Sequence, residues 1–535
     1  MKKTNNYVVV ILLLVLLTTS RTQAQNVTLK MGPTIETKMS SINLAGIKDN
    51  ELYALQFKRE MFSFKSKPEI FLERYDNAFN KKKSSQLVMP NNKKNNDILL
   101  EDIEVINDKF YIFSSFYNKS TDLNYLFVNS INDAGTVEND YIELDQIPSK
   151  SKKKSGRYDL RYSNDSTKIL ILTHSTPKSK KDNESYKCKV FDNNFKLLWE
   201  KTFNLDVKDD KFSFDAYTVD NNGKVYVLGI QKLKQSERIK SESTNKRPKY
   251  RYTIYSYDPS NSEQREFIVD GDKFLLSSIM RVNKDGNLIF ASSYANTSNT
   301  GAQGILNLII DGKTNNLLHK SMEEISDEVN AITYRKKKAK KDKGIYALVM
   351  KEIIFKENGG YVLITEQEYI IVRTTRSSNG VTTTTYHYYN NDLILFSYDD
   401  KSKINWVSLV PKRQHTVNDG GFYNSYSSMV KDDKIYLFYN DEKRNEKIVD
   451  YKKRKVMTRP KNATLCYTSV DINGEMKYKP VFNNKKESII IPPEKCRQYK
   501  SGTMNVIAYP TDKLNISFFG AGNVSYKIGE ISIIE

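Results

Sequence analysis

The feature that most restricts this chain is a repeat: a polar turn with Asp, Asn or Gly, then a strand of alternating aliphatic and aromatic residues. It reads "KDNELYALQF" from Lys48, "NDKFYIFSSF" from Asn107, "NDSTKILILT" from Asn164, "NNGKVYVLGI" from Asn221, "KDGNLIFASS" from Lys284, "NGGYVLITEQ" from Asn358, "KDDKIYLFYN" from Lys431 and "TDKLNISFFG" from Thr511. These eight copies start 57 to 80 residues apart. An apolar strand that stops at an acid or Asn follows each, as in "IFLERYD" to Asp76, "CKVFD" to Asp192, "LILFSYD" to Asp399 and finally "EISIIE" to Glu535. Asp and Asn end strands well because their side chains bond nearby backbone and tolerate turn dihedrals. Further strands flank the pair, such as "EDIEV" upstream and "KLLWEKTF" downstream.

Four short antiparallel strands, repeated with tight turns and almost no helix signal, imply an all-β chain folded as a β-propeller of four-stranded antiparallel blades. A solenoid coil has a shorter repeat, and a sandwich would not repeat at all. Eight blades are expected, with seven as the alternative. The last copy ends with its third strand. Its fourth is expected from "NVTLKMG", Asn26 to Gly32, closing the ring and removing open edges.

Trp199 and Trp406 lie seven residues after Asp192 and Asp399, in "FDNNFKLLWEKTF" and "YDDKSKINWVSLV". These segments resemble the aspartate-to-tryptophan segment of eight-bladed quinoprotein-type propeller repeats, in which tryptophans dock neighbouring blades. They depart from it in a spacing one residue shorter, in lacking the usual Thr-Gly, and in that two of the eight copies carry the Trp. The resemblance implies fold alone, so both indoles are expected between blades and no quinone site is carried over.

The N-terminus has the parts of a secretory leader: Lys2 and Lys3, an apolar run from Val8 to Leu17, and Thr22-Gln23-Ala24 as a cleavage site. A run of about ten residues is too short to cross a bilayer, which takes roughly 20. Residues 1–24 are therefore expected to be removed as a signal peptide, leaving no transmembrane segment. The remainder, 25–535, is expected to be one exported propeller domain in the periplasm, at the cell surface or outside the cell. Three cysteines cannot form a disulfide framework; Cys466 and Cys496 could pair, or all three could be buried thiols.

The formal charge is +20, and loss of Lys2, Lys3 and Arg21 leaves +17. Such a balance favours acidic partners, although a composition rich in Lys, Asn, Ile and Tyr produces it without any partner. Parity assigns the loops to ends. With strands a to d in each blade, the short a–b and c–d turns share one end, while b–c loops and d–a crossings share the other. Long insertions fall almost wholly at that second end, near 146–157, 174–185, 231–250, 323–344, 369–391 and 440–461. Four basic stretches there, "SKKKSGR" (+4), 231–250 (+5), "YRKKKAKKDKG" from Tyr334 (+6) and 440–461 (+5), together exceed the charge of the mature chain. The insertion at 369–391 centres on Asn379-Gly380, a hairpin signal flanked by Thr, Val and Tyr. It is expected to project from blade six as a two-stranded ribbon.

Candidate binding residues are thus Arg335, Lys336, Lys337, Lys338, Lys340 and Lys341 in the third basic loop, with Tyr386, His387, Tyr388 and Tyr389 on the ribbon. These rings could stack on sugars or a protein partner, or pack locally. No catalytic residue is assigned. His174, His319, His387 and His415 lack metal-ligand spacing, and the cysteines lack C-x-x-C. Without a phosphate loop, dinucleotide fingerprint or G-x-S-x-G elbow, neither metal nor cofactor is expected. Lys249, Tyr250, Arg251 and Tyr252 come nearest to the basic-aromatic pattern of nucleic-acid binders, but they run into a strand, and nucleic acid is not the expected partner. The leading expectation is a non-catalytic envelope binding or scaffold protein that takes an anionic polysaccharide or a protein partner on its basic loop face. The alternatives are a carbohydrate-active hydrolase or lyase with carboxylates at the central pocket, and a structural subunit of an envelope complex.

Overall fold

The computed structural model describes residues 26–37, 41–58, 69–88, 98–175, 182–238, 248–260, 262–269, 273–298, 300–329, 344–448, 450–512 and 524–534. Their strands form eight antiparallel sheets, each built around four strands. Blades one to seven span 41–86, 99–148, 157–208, 212–268, 274–324, 348–410 and 427–483. In blade eight, Cys496–Lys500, Thr503–Pro510 and Val524–Ile534 are followed in space by Asn26–Met31, paired from Asn26 opposite Ile534 to Met31 opposite Gly529. First strands touch from blade one to two, along three to six, from seven to eight and from eight back to one, so they line a central axis.

Alternating apolar residues give each sheet two faces to bury, and each does so against its neighbours. Eight apolar clusters occupy eight blade junctions. Between blades two and three, Ile106, Phe113 and Leu126 pack with Ile169, Ile171 and Phe191. Between blades eight and one, Ile507, Tyr526 and Ile528 pack with Ile42, Leu52 and Tyr75. Each such side chain contributes about 1.5–3 kcal/mol when fully buried. The circuit of junctions identifies an eight-bladed β-propeller.

Turn chemistry explains why the repeat was readable. The a–b turns Asn107-Asp108 and Asp432-Asp433 hold both central residues at positive φ, 48° and 56°, and 50° and 54°, as two-residue hairpins of matching twist require. At c–d turns the strand-ending acid caps the backbone. Asp399 Oδ1 accepts from the N–H groups of Lys401 and Lys403 at 2.9 and 2.8 Å, and Asp471 Oδ1 from those of Asn473 and Glu475 at 3.0 and 2.9 Å. Seven of the eight repeat copies become strand b of blades one to seven. The eighth requires correction: strand b of blade eight is Thr503–Pro510, and "TDKLNISFFG" belongs to the following connection, of which 513–523 lie outside the described residues. There the turn is made by Gly502 at φ 68° without an Asp or Asn pair, so the pattern passed over it.

Both tryptophans reach the next blade. Trp199 Nε1 donates to Gly223 O at 2.9 Å and Trp406 Nε1 to Ile472 O at 2.7 Å. Cys188, Cys466 and Cys496 are buried free thiols, so the Cys466–Cys496 pair is not formed. Among the described residues no helix is long and apolar enough to cross a membrane. Residues 1–24, and Arg335, Lys336, Lys337, Lys338, Lys340 and Lys341, lie outside the described residues.

Candidate functional site: the ribbon and insertions of blades six and seven

The two central strands of blade six, Tyr361–Arg376 and Thr382–Tyr398, run past the sheet as a ribbon. Their register pairs Tyr369 with Tyr389, Ile371 with His387 and Val372 with Tyr386. A third strand, Gln414–Val417 from the crossing to blade seven, pairs with it, placing His415 opposite Tyr389. Because opposite residues share a face, rings meet in a ladder. Tyr346 meets Tyr369 edge-on with centroids 5.3 Å apart, Tyr369 stacks on Tyr389 at 4.6 Å, Tyr389 on His415 at 4.4 Å, and His415 on His387 at 5.2 Å. His387 Nδ1 and His415 Nε2 lie 3.0 Å apart, within hydrogen-bond distance. Burial, and then the neighbouring His387 and Arg373, hold the His415 pKa below the usual imidazole value against Asp419. Tyr386 and Tyr388 point to the other face, Tyr386 exposed and Tyr388 against Gly421.

The four ribbon candidates therefore divide: His387 and Tyr389 join the ladder, while Tyr386 and Tyr388 do not. Tyr369 was within one residue's reach of the sequence: a two-residue turn at Asn379-Gly380 would set it opposite Asn390, and the three-residue turn that forms, closed between Ser377 and Val381, sets it opposite Tyr389. Tyr346 and His415 come from the crossings on either side, where no local signal marks them. Lys412 fixes the third strand from beneath. It is fully buried, and its Nζ donates to Glu366 Oε1 at 2.6 Å and to Asn390 O and Gln414 Oε1, each at 3.0 Å.

The basic insertion of blade seven, between Asp441 and Thr464, is stitched to this strand. His415 N–H donates to Met457 O and Met457 N–H to Arg413 O, both at 2.9 Å. Buried Arg454 pairs with buried Asp441, and Asn445 donates to Asp441 Oδ1 at 2.8 Å, so the loop has its own polar core. Outside that core Lys443, Lys447, Lys452, Lys455, Arg459 and Lys461 are exposed. Arg373 on the ribbon and Lys152, Lys153 and Lys154 in the blade two to three crossing are exposed at the same end.

Along the axis the first strands carry carboxyl groups. Burial raises the pKa values of Glu101, Asp102, Asp215 and Glu352, and burial together with Asp102 pushes Glu104 up to about 7. Tyr162 donates to Asp102 at 3.1 Å and Ser428 to Glu352 at 2.7 Å. Among the described residues no three side chains are grouped to hold a metal. In the unfolded chain Glu104 ionises near the ordinary glutamate value of 4.5, earlier than in the fold. Stability therefore falls as pH climbs from about 4.5 to about 7. Glu104→Gln is expected to flatten that fall and to raise unfolding free energy at pH 8 by about 1–3 kcal/mol, read from urea titrations at several pH values. A slope identical to that of the parent chain would refute the assignment.

The sequence matches no family model and no curated protein. Among solved structures the chain is similar to the WD40 domain of SCAP from fission yeast, at 9% identity and TM-score 0.37, covering 95% of this chain and 98% of that one. It is also similar to the β-propeller domain of the Trilobed protease from Pyrococcus furiosus, at 11% identity and TM-score 0.35, covering 82% and 96%. A third is an ulvan lyase of a new polysaccharide lyase family, at 8% identity and TM-score 0.35, covering 84% and 96%. Similarities at this level carry no argument, and the propeller stands on the chain's own eight sheets and eight junctions.

Proposed function

We propose that this is an exported, non-catalytic propeller that binds an acidic polysaccharide at the insertion-bearing end of blades six and seven. The observation that carries the reading is the backbone link through Met457, which sets a fixed basic loop beside the ring ladder. A uronate-bearing chain needs both parts. The half-exposed ring edges of Tyr369, Tyr389 and His387 offer surface for sugar C–H faces, and exposed lysines meet the carboxylates. Attraction of this kind works through the summed field and is screened by salt. A protein partner is the second reading, favoured by Ile370, Val372 and Tyr386, which are 57%, 54% and 46% exposed and clustered on the ribbon's other face.

The test compares polygalacturonate with neutral dextran over a salt series. Polygalacturonate is expected to bind and to weaken steeply with added salt, while dextran does not bind. Replacing Lys443, Lys447, Lys452 and Lys455 together by Glu should weaken binding at least about tenfold, or 1.4 kcal/mol, and flatten the salt dependence. Equal affinity for dextran, or binding indifferent to salt, would remove the acidic polysaccharide; stoichiometric capture of a protein would then favour the second reading.

A further inference from the structure

The opposite end of the propeller, where the a–b turns converge, holds an open cleft of about 390 Å³, within the ~300–1,000 Å³ of small-molecule sites. Four consecutive blades build it: Asn164 comes from blade three, Asn221 from four, Arg281, Lys284 and Asp285 from five, and Phe355 from six. Asn164 ties the walls together. Its side-chain N–H donates to Val282 O at 2.5 Å, and Arg281 donates to its Oδ1 at 3.4 Å, so blades three and five meet past the turn of blade four. The Arg281 guanidinium lies over the Phe355 ring, 5.8 Å from its centroid, and also donates to Ile353 O at 3.1 Å. Lys284 donates to Glu357 O at 3.1 Å. The cleft is thus cross-braced by its own side chains.

The lining selects the class of ligand. An apolar molecule would bury the amides and charges without partners, which is costly. A multiply charged anion would meet Arg281, Lys284 and Lys356 but also the Asp165 and Asp285 carboxylates. Sugar hydroxyls each donate and accept, so amides, cations and carboxylates can all serve them. The geometry points to a neutral-saccharide site, one or two rings in size, at the turn end of the propeller. It lies at the far end from the basic insertions and does not depend on them.

Calorimetric titration with glucose, galactose, mannose, N-acetylglucosamine and cellobiose tests this, with glucuronate as the anionic control. At least one neutral sugar is expected to saturate with Kd between roughly 10 μM and 1 mM. Asn221→Trp, at an exposed turn position, fills the cleft and should abolish binding; Asp285→Ala should weaken it about tenfold. Both variants should keep the parent melting temperature, and glutamates in the 440–461 insertion should leave sugar binding unchanged. The proposal is overturned if no neutral sugar binds at roughly 10 mM, if glucuronate binds more tightly than every neutral sugar, or if binding survives in both variants.

Discussion

Lys412→Met is expected to lower unfolding free energy by about 3–5 kcal/mol, the cost of stranding one partner of a buried ion pair. Methionine keeps most of the stem's volume, so cavity formation adds little. What is lost is the ammonium that serves Glu366, Asn390 O and Gln414 Oε1. Glu366 is itself fully buried, and Lys351 at 3.3 Å and the Ser425 hydroxyl at 2.8 Å are then its remaining support. Burial opposes ionisation of Glu366, but Lys412 and then Lys351 outweigh it and hold its pKa below the ordinary carboxylate range. Its contribution is therefore present above the unfolded pKa and lost as pH falls through the folded one. In the variant Glu366 takes up a proton more easily, so the deficit should be largest near neutrality and shrink in acid. Glu366→Gln added to Lys412→Met should recover part of the loss, since the stranded charge is gone. Denaturant titrations of parent, single and double variants at pH 4 and pH 7 read this directly. A deficit indifferent to pH and to the second substitution would assign the effect to packing.

The same residues show how far sequence reaches. Period-two alternation and Asp or Asn at strand ends are local, and they located strands b and c of blades one to seven. They failed at Thr503–Pro510, where a lone Gly502 makes the turn. The ribbon was legible because Asn379-Gly380 fixes a hairpin centre. Its third strand was not: Gln414–Val417 lies beyond strand d of blade six, and its place depends on Lys412 reaching Glu366, 46 residues away in the chain. The candidate site was half visible for the same reason. His387 and His415 looked unrelated as isolated histidines, and a pairing across two connections puts their nitrogens in contact. The cleft at the turn end was invisible, because the Asn and Asp residues that line it are the residues any tight turn would use.

Deleting Asn26–Thr37 is expected to have the largest effect on stability. Val524–Ile534 pairs on that side with two segments, Asn26–Met31 along residues 529–534 and Ile35–Thr37 along residues 524–526. The deletion takes Val27, Leu29 and Met31 from the blade seven to eight cluster and Ile35 from the blade eight to one cluster. At about 1–2 kcal/mol for each partly buried apolar side chain and about 1 kcal/mol for each ladder hydrogen bond, the loss should exceed roughly 5 kcal/mol. Blade eight should not detach outright. Tyr526 still donates to Glu73 at 2.8 Å and meets the Tyr75 hydroxyl at 2.9 Å across the junction with blade one. The shortened chain should therefore melt at lower temperature, and it should self-associate as concentration rises, because Val524–Ile534 becomes an unpaired edge. A synthetic peptide of residues 26–37 supplied in trans should raise the melting temperature and suppress association, while a scrambled peptide should do neither. If the shortened chain stayed monomeric with an unchanged melting temperature, these two segments would be appendages to blade eight. Rescue by the peptide would show that a fourth strand from the start of the chain completes the sheet that holds its end.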